Sequence, residues 1–217
     1  VAFCQRSDAT AFCDEMEQAT GNRPLFLPCD IAVTDQPQLT LSTAAKVHGP
    51  ITVLVNNAAN DTRHLIDDTT PESWDRGVAV NLKHQFFAAQ AVVDSMKSSG
   101  RGSIINFGSI TWMVGDADCP AYVTAKAAIY GMTRALAREF GPHNIRVNCL
   151  VPGWVMTERQ KQLWLTPEGE RQIGERGRQN ASRGTTRQIG IQRMPGGHAA
   201  AVLVDQFAHQ QADGGFG

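Results

Sequence analysis

Ile51-Thr52-Val53-Leu54-Val55 runs straight into Asn56-Asn57-Ala58-Ala59, and this stretch decides how the rest of the chain reads. The first five residues form a largely β-branched run, suited to a strand buried on both faces of a parallel sheet. The small residues that follow let a flat ligand come close to the backbone. The same pattern recurs downstream. Ser103 to Phe107 is an apolar run ending in Gly108-Ser109, and Ile145 to Leu150 is another, ending in Pro152-Gly153.

Helical stretches separate these runs. Residues 121–140 are rich in small residues and stop at Gly141-Pro142. Pro71 and Glu72 open a long helix whose broad apolar face carries Val78, Val80, Leu82, Phe86, Phe87, Ala89 and Val92, and Gly100 and Gly102 end it. Upstream, residues 35–48 read as a helix closed by Gly49-Pro50, and residues 8–20 as a helix between Asp8 and Gly21. Val1 to Cys4 and Leu25 to Leu27 read as two further strands. Strands alternating with helices predict an α/β fold, a doubly wound parallel sheet of the Rossmann-like kind. No linker or repeat divides it, so a single dinucleotide-binding-type domain over 1–217 is expected. Residues 166–198, rich in Gly, Arg and Gln with little periodic hydrophobicity, are expected to be a mobile segment of a flap region. Ala199 to Phe207 reads as a short helix.

Composition excludes several functions. The 217 residues are 42% hydrophobic and 19% charged, with a formal net charge of −1. That suits a folded core and gives no long-range attraction to nucleic acid or an anionic membrane. The five cysteines (Cys4, Cys13, Cys29, Cys119, Cys149) are odd in number and form no CxxC pair. Neither a disulfide framework nor a metal site is expected, which fits a cytoplasmic protein. No apolar run approaches the roughly 18 residues of a membrane span.

The chemistry sits in Tyr122-Val123-Thr124-Ala125-Lys126. A spacing of four puts tyrosine and lysine on one helix face. A free phenol is too weak an acid for proton exchange at neutral pH, but a nearby ammonium stabilises the phenolate. Such a pair can trade a proton with a substrate alcohol or carbonyl. Ser109, just past the strand 103–107, is placed to hydrogen-bond the same substrate oxygen, since open α/β sheets bind ligands beyond the carboxyl ends of their strands.

From about Pro24 to Leu165 the chain resembles the short-chain dehydrogenase/reductase family. The resemblance rests on Asn56-Asn57-Ala58-Ala59, Ser109 after its strand, Tyr122 with Lys126, and Pro152-Gly153-Trp154-Val155-Met156-Thr157, in family order. It implies Tyr122 as general acid/base, Lys126 as the group that lowers its pKa and holds the nicotinamide ribose, and Ser109 as the substrate-orienting hydroxyl. Asn81 would complete a tetrad by placing a water in a proton relay. Asn56, Ala58 and Ala59 would line the cofactor groove, while Asn57 would tie strands together. Asp30 and Ile31 would flank the adenine. Pro152, Gly153, Val155 and Thr157 would hold the carboxamide and phosphates. His64, Trp112 and Trp154 frame the expected substrate mouth, and the other histidines are expected at the surface. The family also implies pairing of the helices at 72–97 and 121–140 with their copies, giving a dimer or tetramer, with Ala125, Ala128, Met132, Ala135 and Leu136 as knobs.

The resemblance has gaps. The family begins with a strand, a glycine-rich turn and a helix that receive the pyrophosphate. Val1 to Cys4 instead resembles its second strand, so the fold reads as incomplete at the N-terminus, with no central strand and a weakened phosphate anchor. The end of that second strand carries Gln5-Arg6-Ser7 in place of the acidic residue that selects NAD. Arg6 is suited to a 2′-phosphate, so NADP is favoured over NAD. Asn60-Asp61-Thr62-Arg63-His64 and Pro152 to Gln160 look most like bacterial sugar 1-dehydrogenases acting on galactose, arabinose or fucose. The alternatives are a 3-oxoacyl carrier-protein or other ketone reductase, and a catalytically silent fragment.

Overall fold

The sheet runs parallel throughout, in the order β2-β1-β6-β3-β4-β5. Its strands are β1 (Ala2–Gln5), β2 (Leu25–Pro28), β3 (Val53–Asn56), β4 (Gly102–Phe107), β5 (Ile145–Leu150) and β6 (Ala200–Leu203). The computed structural model describes residues 1–153 and the backbone of 200–203. The chain forms two compact units, Val1–Leu150 with Gly197–Gly217, and Val151–Gly196. The expected flap region 166–198 lies outside the described residues, as do Trp154, Val155 and Thr157.

The doubly wound α/β expectation holds, with two corrections. Ala200–Leu203 is a strand, not part of a helix. A short apolar run cannot be assigned by periodicity alone, because a buried strand and a helix segment look the same. The second correction follows from the first. β6 lies between β1 and β3, pairing Phe3 with Val202 and Val55 with Val202. The sheet therefore has no gap at its centre. Both neighbours would otherwise present unpaired edges, and one strand from later in the chain satisfies them together.

The helices are α1 (Thr10–Thr20), α2 (Asp35–His48), α3 (Pro71–Val78), α4 (His84–Ser98), α5 (Thr111–Val114) and α6 (Pro120–Phe140). Asp8 holds the entry to α1, its Oδ1 accepting from the Thr10 amide at 3.3 Å and the Thr10 hydroxyl at 2.7 Å. Gly21 ends it with φ of 72°, a conformation that favours glycine. The long helix expected after Pro71 starts with a capping box between Thr70 and Ser73. It does not run on unbroken. Ala79–Lys83 form a π-helical turn, in which the His84 amide donates to the carbonyl of Ala79, five residues back. The extra residue re-aims the helix. Val80 and Asn81 become buried, followed by His84 and Gln85 and then by Ala88, Ala89, Val92 and Met96.

Leu54 and Ile104 sit side by side at the sheet centre, packed with Ala88, Val92 and Met96 from α4 and Leu136 and Phe140 from α6. Full burial of each such aliphatic side chain contributes about 2–3 kcal/mol. Ala125 and Leu136 are buried within the chain and the half-buried Met132 packs against the core, so of the five expected interface knobs only Ala128 and Ala135 are exposed. α3 lies directly on the first turn of α6. A Cβ added to Gly77 would meet the Ala121 Cβ at 2.7 Å, so only glycine fits there. No helix among the described residues is long and apolar enough to cross a membrane.

Candidate active site

Parallel strands bring their carboxyl ends to one edge of the sheet, and the chemistry-bearing residues of the first unit collect there. β4 ends at Phe107, with Ser109 two residues on. α6 starts at Pro120 and brings Tyr122 and Lys126 back over that end. The Lys126 ammonium is 2% exposed and donates to the Phe107 carbonyl at 2.7 Å. It lies 5.5 Å from the centre of the Tyr122 ring. Ser109 lies close enough to the Tyr122 hydroxyl to favour its charged form, and its own Oγ accepts from the Thr111 amide at 3.2 Å. The three residues expected from the sequence to share one site therefore do so.

Their protonation follows from burial. Burial pushes the Lys126 ammonium down to about 8, with Cys149 and Asp61 pulling the other way. Burial pushes the Tyr122 phenol up, and the Ser109 hydroxyl works against it. The sequence predicts an ammonium that pulls the phenol below its ordinary value. In this packing desolvation outweighs any such pull, because the charged phenolate loses more in leaving water than its neighbours return.

Asn81 is 1% exposed, not solvent-facing. Its Oδ1 accepts from the Asn60 amide at 2.8 Å, and its Nδ2 donates to the carbonyls of Asn60 and Gly77 at 2.9 and 3.0 Å. The π-helical turn thus holds the loop that follows β3. That loop in turn abuts the segment before α6. The His64 amide donates to the Asp118 carbonyl at 2.7 Å, and Arg63 Nη1 donates to the Ala117 carbonyl at 3.3 Å. Asp61 and Arg63 lie close enough to act on Tyr122 electrostatically. His64 keeps Nδ1 3.1 Å from the Thr62 carbonyl, while its buried Nε2 has no hydrogen-bond partner. Trp112 leans on Tyr130, two turns of α6 beyond Tyr122, with ring centres 6.2 Å apart.

Several expected cofactor contacts sit differently. Asn56 is fully buried, and its Nδ2 donates to Asn106 Oδ1 at 2.9 Å. It, and not Asn57, ties β3 to β4, since strand alternation turns it away from the groove. The side chains of Ala58 and Ile31 pack into the core, so only their backbone can face a nucleotide. Ala59 and Asp30 are half-buried, and Asp30 Oδ1 accepts from the Ala32 amide at 2.9 Å. Arg6 is exposed, just past the end of β1. Pro152 and Gly153 follow β5 in the second unit. The residue that sequence reasoning missed is His84. Expected at the surface, it is 2% exposed. Only the π-helical turn puts it there, and no sequence pattern announces that turn.

Residues 1–168 match the short chain dehydrogenase family, and the chain belongs to it. It is 44% identical over 166 residues to a probable galactose dehydrogenase of Rhizobium meliloti (strain 1021), covering 76% of this chain and 65% of that protein. It is 50% identical over 150 residues to a D-xylose 1-dehydrogenase of Caulobacter vibrioides, covering 69% of this chain and 58% of the relative. The chain thus spans 58–65% of the length of these curated relatives. Among solved structures, the TT0495 protein from Thermus thermophilus superimposes with a TM-score of 0.71 at 35% identity, covering 81% of this chain and 71% of that one. A Beutenbergia cavernae protein solved with NADP at low occupancy gives 0.72 at 27% identity, covering 80% and 69%.

Proposed function

We propose that this chain is the proton-transfer part of an NAD(P)-dependent dehydrogenase that interconverts a sugar alcohol carbon and its carbonyl. The observation that carries the reading is the Tyr122 ring lying 5.5 Å from the ammonium of a buried Lys126, with Ser109 close enough to act on the phenol. A phenol held above its ordinary value is a proton donor at neutral pH, and it becomes an acceptor only when its charge is stabilised. Lys126, at about 8 and mostly protonated at pH 7, is the group beside it that can do so. Ser109 holds the substrate oxygen at the hydroxyl that exchanges the proton.

The residues fit a nicotinamide dinucleotide. Phe107 takes one of the three ammonium N–H groups of Lys126, leaving two for other acceptors such as ribose hydroxyls. The bound dinucleotide supplies the hydride acceptor or donor. Arg6, exposed past β1 beside Ser7, favours NADP, and Asp30 would face the adenine. Val155 and Thr157 are assigned to the carboxamide and phosphates, with Pro152 and Gly153. His64 Nε2, buried and unpaired, suits a hydroxyl-rich substrate, because a site that hydrogen-bonds a hydroxyl rejects ligands lacking one. The two sugar dehydrogenases among the relatives support the same substrate class. A dimer or tetramer through α4 and α6 is part of the proposal, with Phe86 and Tyr130 exposed on those helices. Sedimentation showing only monomer at micromolar concentration would remove it.

The test is titration with NADPH and NADH, followed by nicotinamide fluorescence, and then turnover with a panel of aldoses against a 3-oxoacyl thioester. Tighter NADPH binding and turnover of an aldose are expected. Binding of neither nucleotide would leave the silent-fragment alternative standing.

A further inference from the structure

Two adjacent residues at the end of β4 hold α6 at two places. The Phe107 carbonyl accepts from the Lys126 ammonium at 2.7 Å, and Asn106 Nδ2 donates to the Thr133 hydroxyl at 3.0 Å. Lys126 and Thr133 are about two turns apart, so they share one face of the helix. Asn106 is fully buried and Thr133 is 5% exposed. The rest of the buried face is apolar, with Ile129, Leu136 and Phe140 along it. Apolar packing is non-directional, so it holds a helix on a sheet without setting how far the helix slides. A hydrogen bond demands its own distance and angle, and a slip of about 1 Å breaks it.

The direction of each bond is forced from one end. The Gln85 carbonyl can only accept, so Asn56 turns its amide nitrogen toward it, at 3.3 Å. The same nitrogen donates to Asn106 Oδ1 at 2.9 Å. Asn106 then has its own nitrogen to offer Thr133, whose hydroxyl accepts. One hydrogen-bonded chain therefore runs from α4 through the ends of β3 and β4 to α6. Ser109 follows β4 by two residues, and Tyr122 lies one turn before Lys126 on α6. Whatever fixes α6 on β4 therefore fixes the phenol against the serine hydroxyl.

We propose that Asn106 and Thr133 are positioning residues of the proton-transfer site: the bond between them sets the height of α6 on β4, and so places Lys126 and Tyr122 against Ser109. Both are buried in the core, and Thr133 lies two turns beyond Lys126, so they act through the helix. The placement stands on hydrogen bonds alone. Its weight in catalysis rests on the dehydrogenase reading above.

Thr133→Val keeps the shape and removes the acceptor, while Thr133→Ser keeps the hydroxyl. The first test needs neither nucleotide nor substrate. Acetic anhydride reaches the buried Lys126 amine only when the helix opens, and peptide mass spectrometry reads the rate. Alkylation of Cys13 by N-ethylmaleimide is followed alongside. That thiol is buried in the separate cluster of Phe3 and Ala9, so it reports global opening. Thr133→Val should raise Lys126 acylation at least about fivefold, the effect of stranding one buried donor, with Cys13 unchanged. Thr133→Ser should stay within about twofold of wild type, because the acceptor remains. Equal Lys126 rates in wild type and Thr133→Val overturn the proposal. So does a parallel rise at Lys126 and Cys13, which marks a general loss of stability. In the wild type the Asn106 carboxamide protons should be protected from solvent exchange. Unprotected protons overturn the proposal whether or not Thr133→Val folds. The second test is turnover. Thr133→Val should lower kcat about tenfold or more and leave KM for the aldose within about twofold, since only alignment is lost, and Thr133→Ser should restore kcat. An unchanged kcat in Thr133→Val overturns the positioning role. A failed NAD(P) titration would sink the dehydrogenase reading and leave the labelling result standing.

Discussion

Replacing Asn81 by leucine removes three buried hydrogen bonds in one step: the Asn60 amide loses its acceptor, and the carbonyls of Asn60 and Gly77 lose their donor. Leucine is an apolar side chain branched at the same position, so cavity formation adds little. Stranding a buried polar group costs about 1–3 kcal/mol. Asn60 is only half-buried, and water can reach part of it. The lower end is therefore the right choice, about 1 kcal/mol for each bond, or about 3 kcal/mol in all. At about 2–4 °C per kcal/mol for a protein of this size, Tm should fall by about 6–12 °C. The loss should be local as well as global, since Asn81 anchors the loop that carries Asp61, Arg63 and His64. Thermal unfolding by circular dichroism reads the first effect, and hydrogen exchange at the Asn60 amide reads the second. Asn81→Asp serves as the graded control, because it keeps an acceptor for the Asn60 amide and loses both donors. If Asn81→Leu melts within about 1 °C of wild type and the Asn60 amide stays protected, the anchoring role is wrong.

Three further outcomes are expected. Tyr122→Phe should lower kcat at least about 100-fold while leaving Tm nearly unchanged, because only the hydroxyl is lost; near-wild-type turnover would take Tyr122 out of the mechanism. Gly77→Ala should cost about 1–3 kcal/mol of stability, since its Cβ must displace Ala121, and urea denaturation measures this directly. Lys126 holds its proton less tightly folded, at about 8, than unfolded, at 10.5, so the unfolded chain binds more protons between these values. Stability should therefore rise with pH from about 8, by up to about 3 kcal/mol approaching pH 10.5, relative to Lys126→Met. Tyr122, with its phenol raised, works in the opposite direction once the unfolded phenol ionises near 10, so the comparison belongs between pH 8 and 9.5. A flat difference between the two proteins over that window would contradict the buried ammonium.

Particular residues show where sequence reading stops. The strand ending at Asn56 and the one ending at Phe107 are visible from their apolar runs, and the four-residue spacing of Tyr122 and Lys126 alone puts both on one helix face. Asn56 and Asn57 cannot be told apart in the same way. Both are polar residues at a strand end, and only the register of β3 against β4 decides that Asn56 faces Asn106. Trp112 likewise reads as a pocket residue by position, but its ring partner is Tyr130.

The sequence by itself determined the α/β alternation and the shared helix face of Tyr122 and Lys126, because local periodicity and spacing carry that information along the chain, and the resemblance of its motifs pointed to the family and to Ser109 as the third member of the set. The tertiary structure decided what depends on contacts between distant segments. β6 fills the place between β1 and β3 because two open strand edges need one partner. The π-helical turn buries Asn81 and His84 because one extra residue rotates a helix against its neighbours. The protonation of Tyr122 and Lys126 follows from how much water the packing removes, which spacing cannot express.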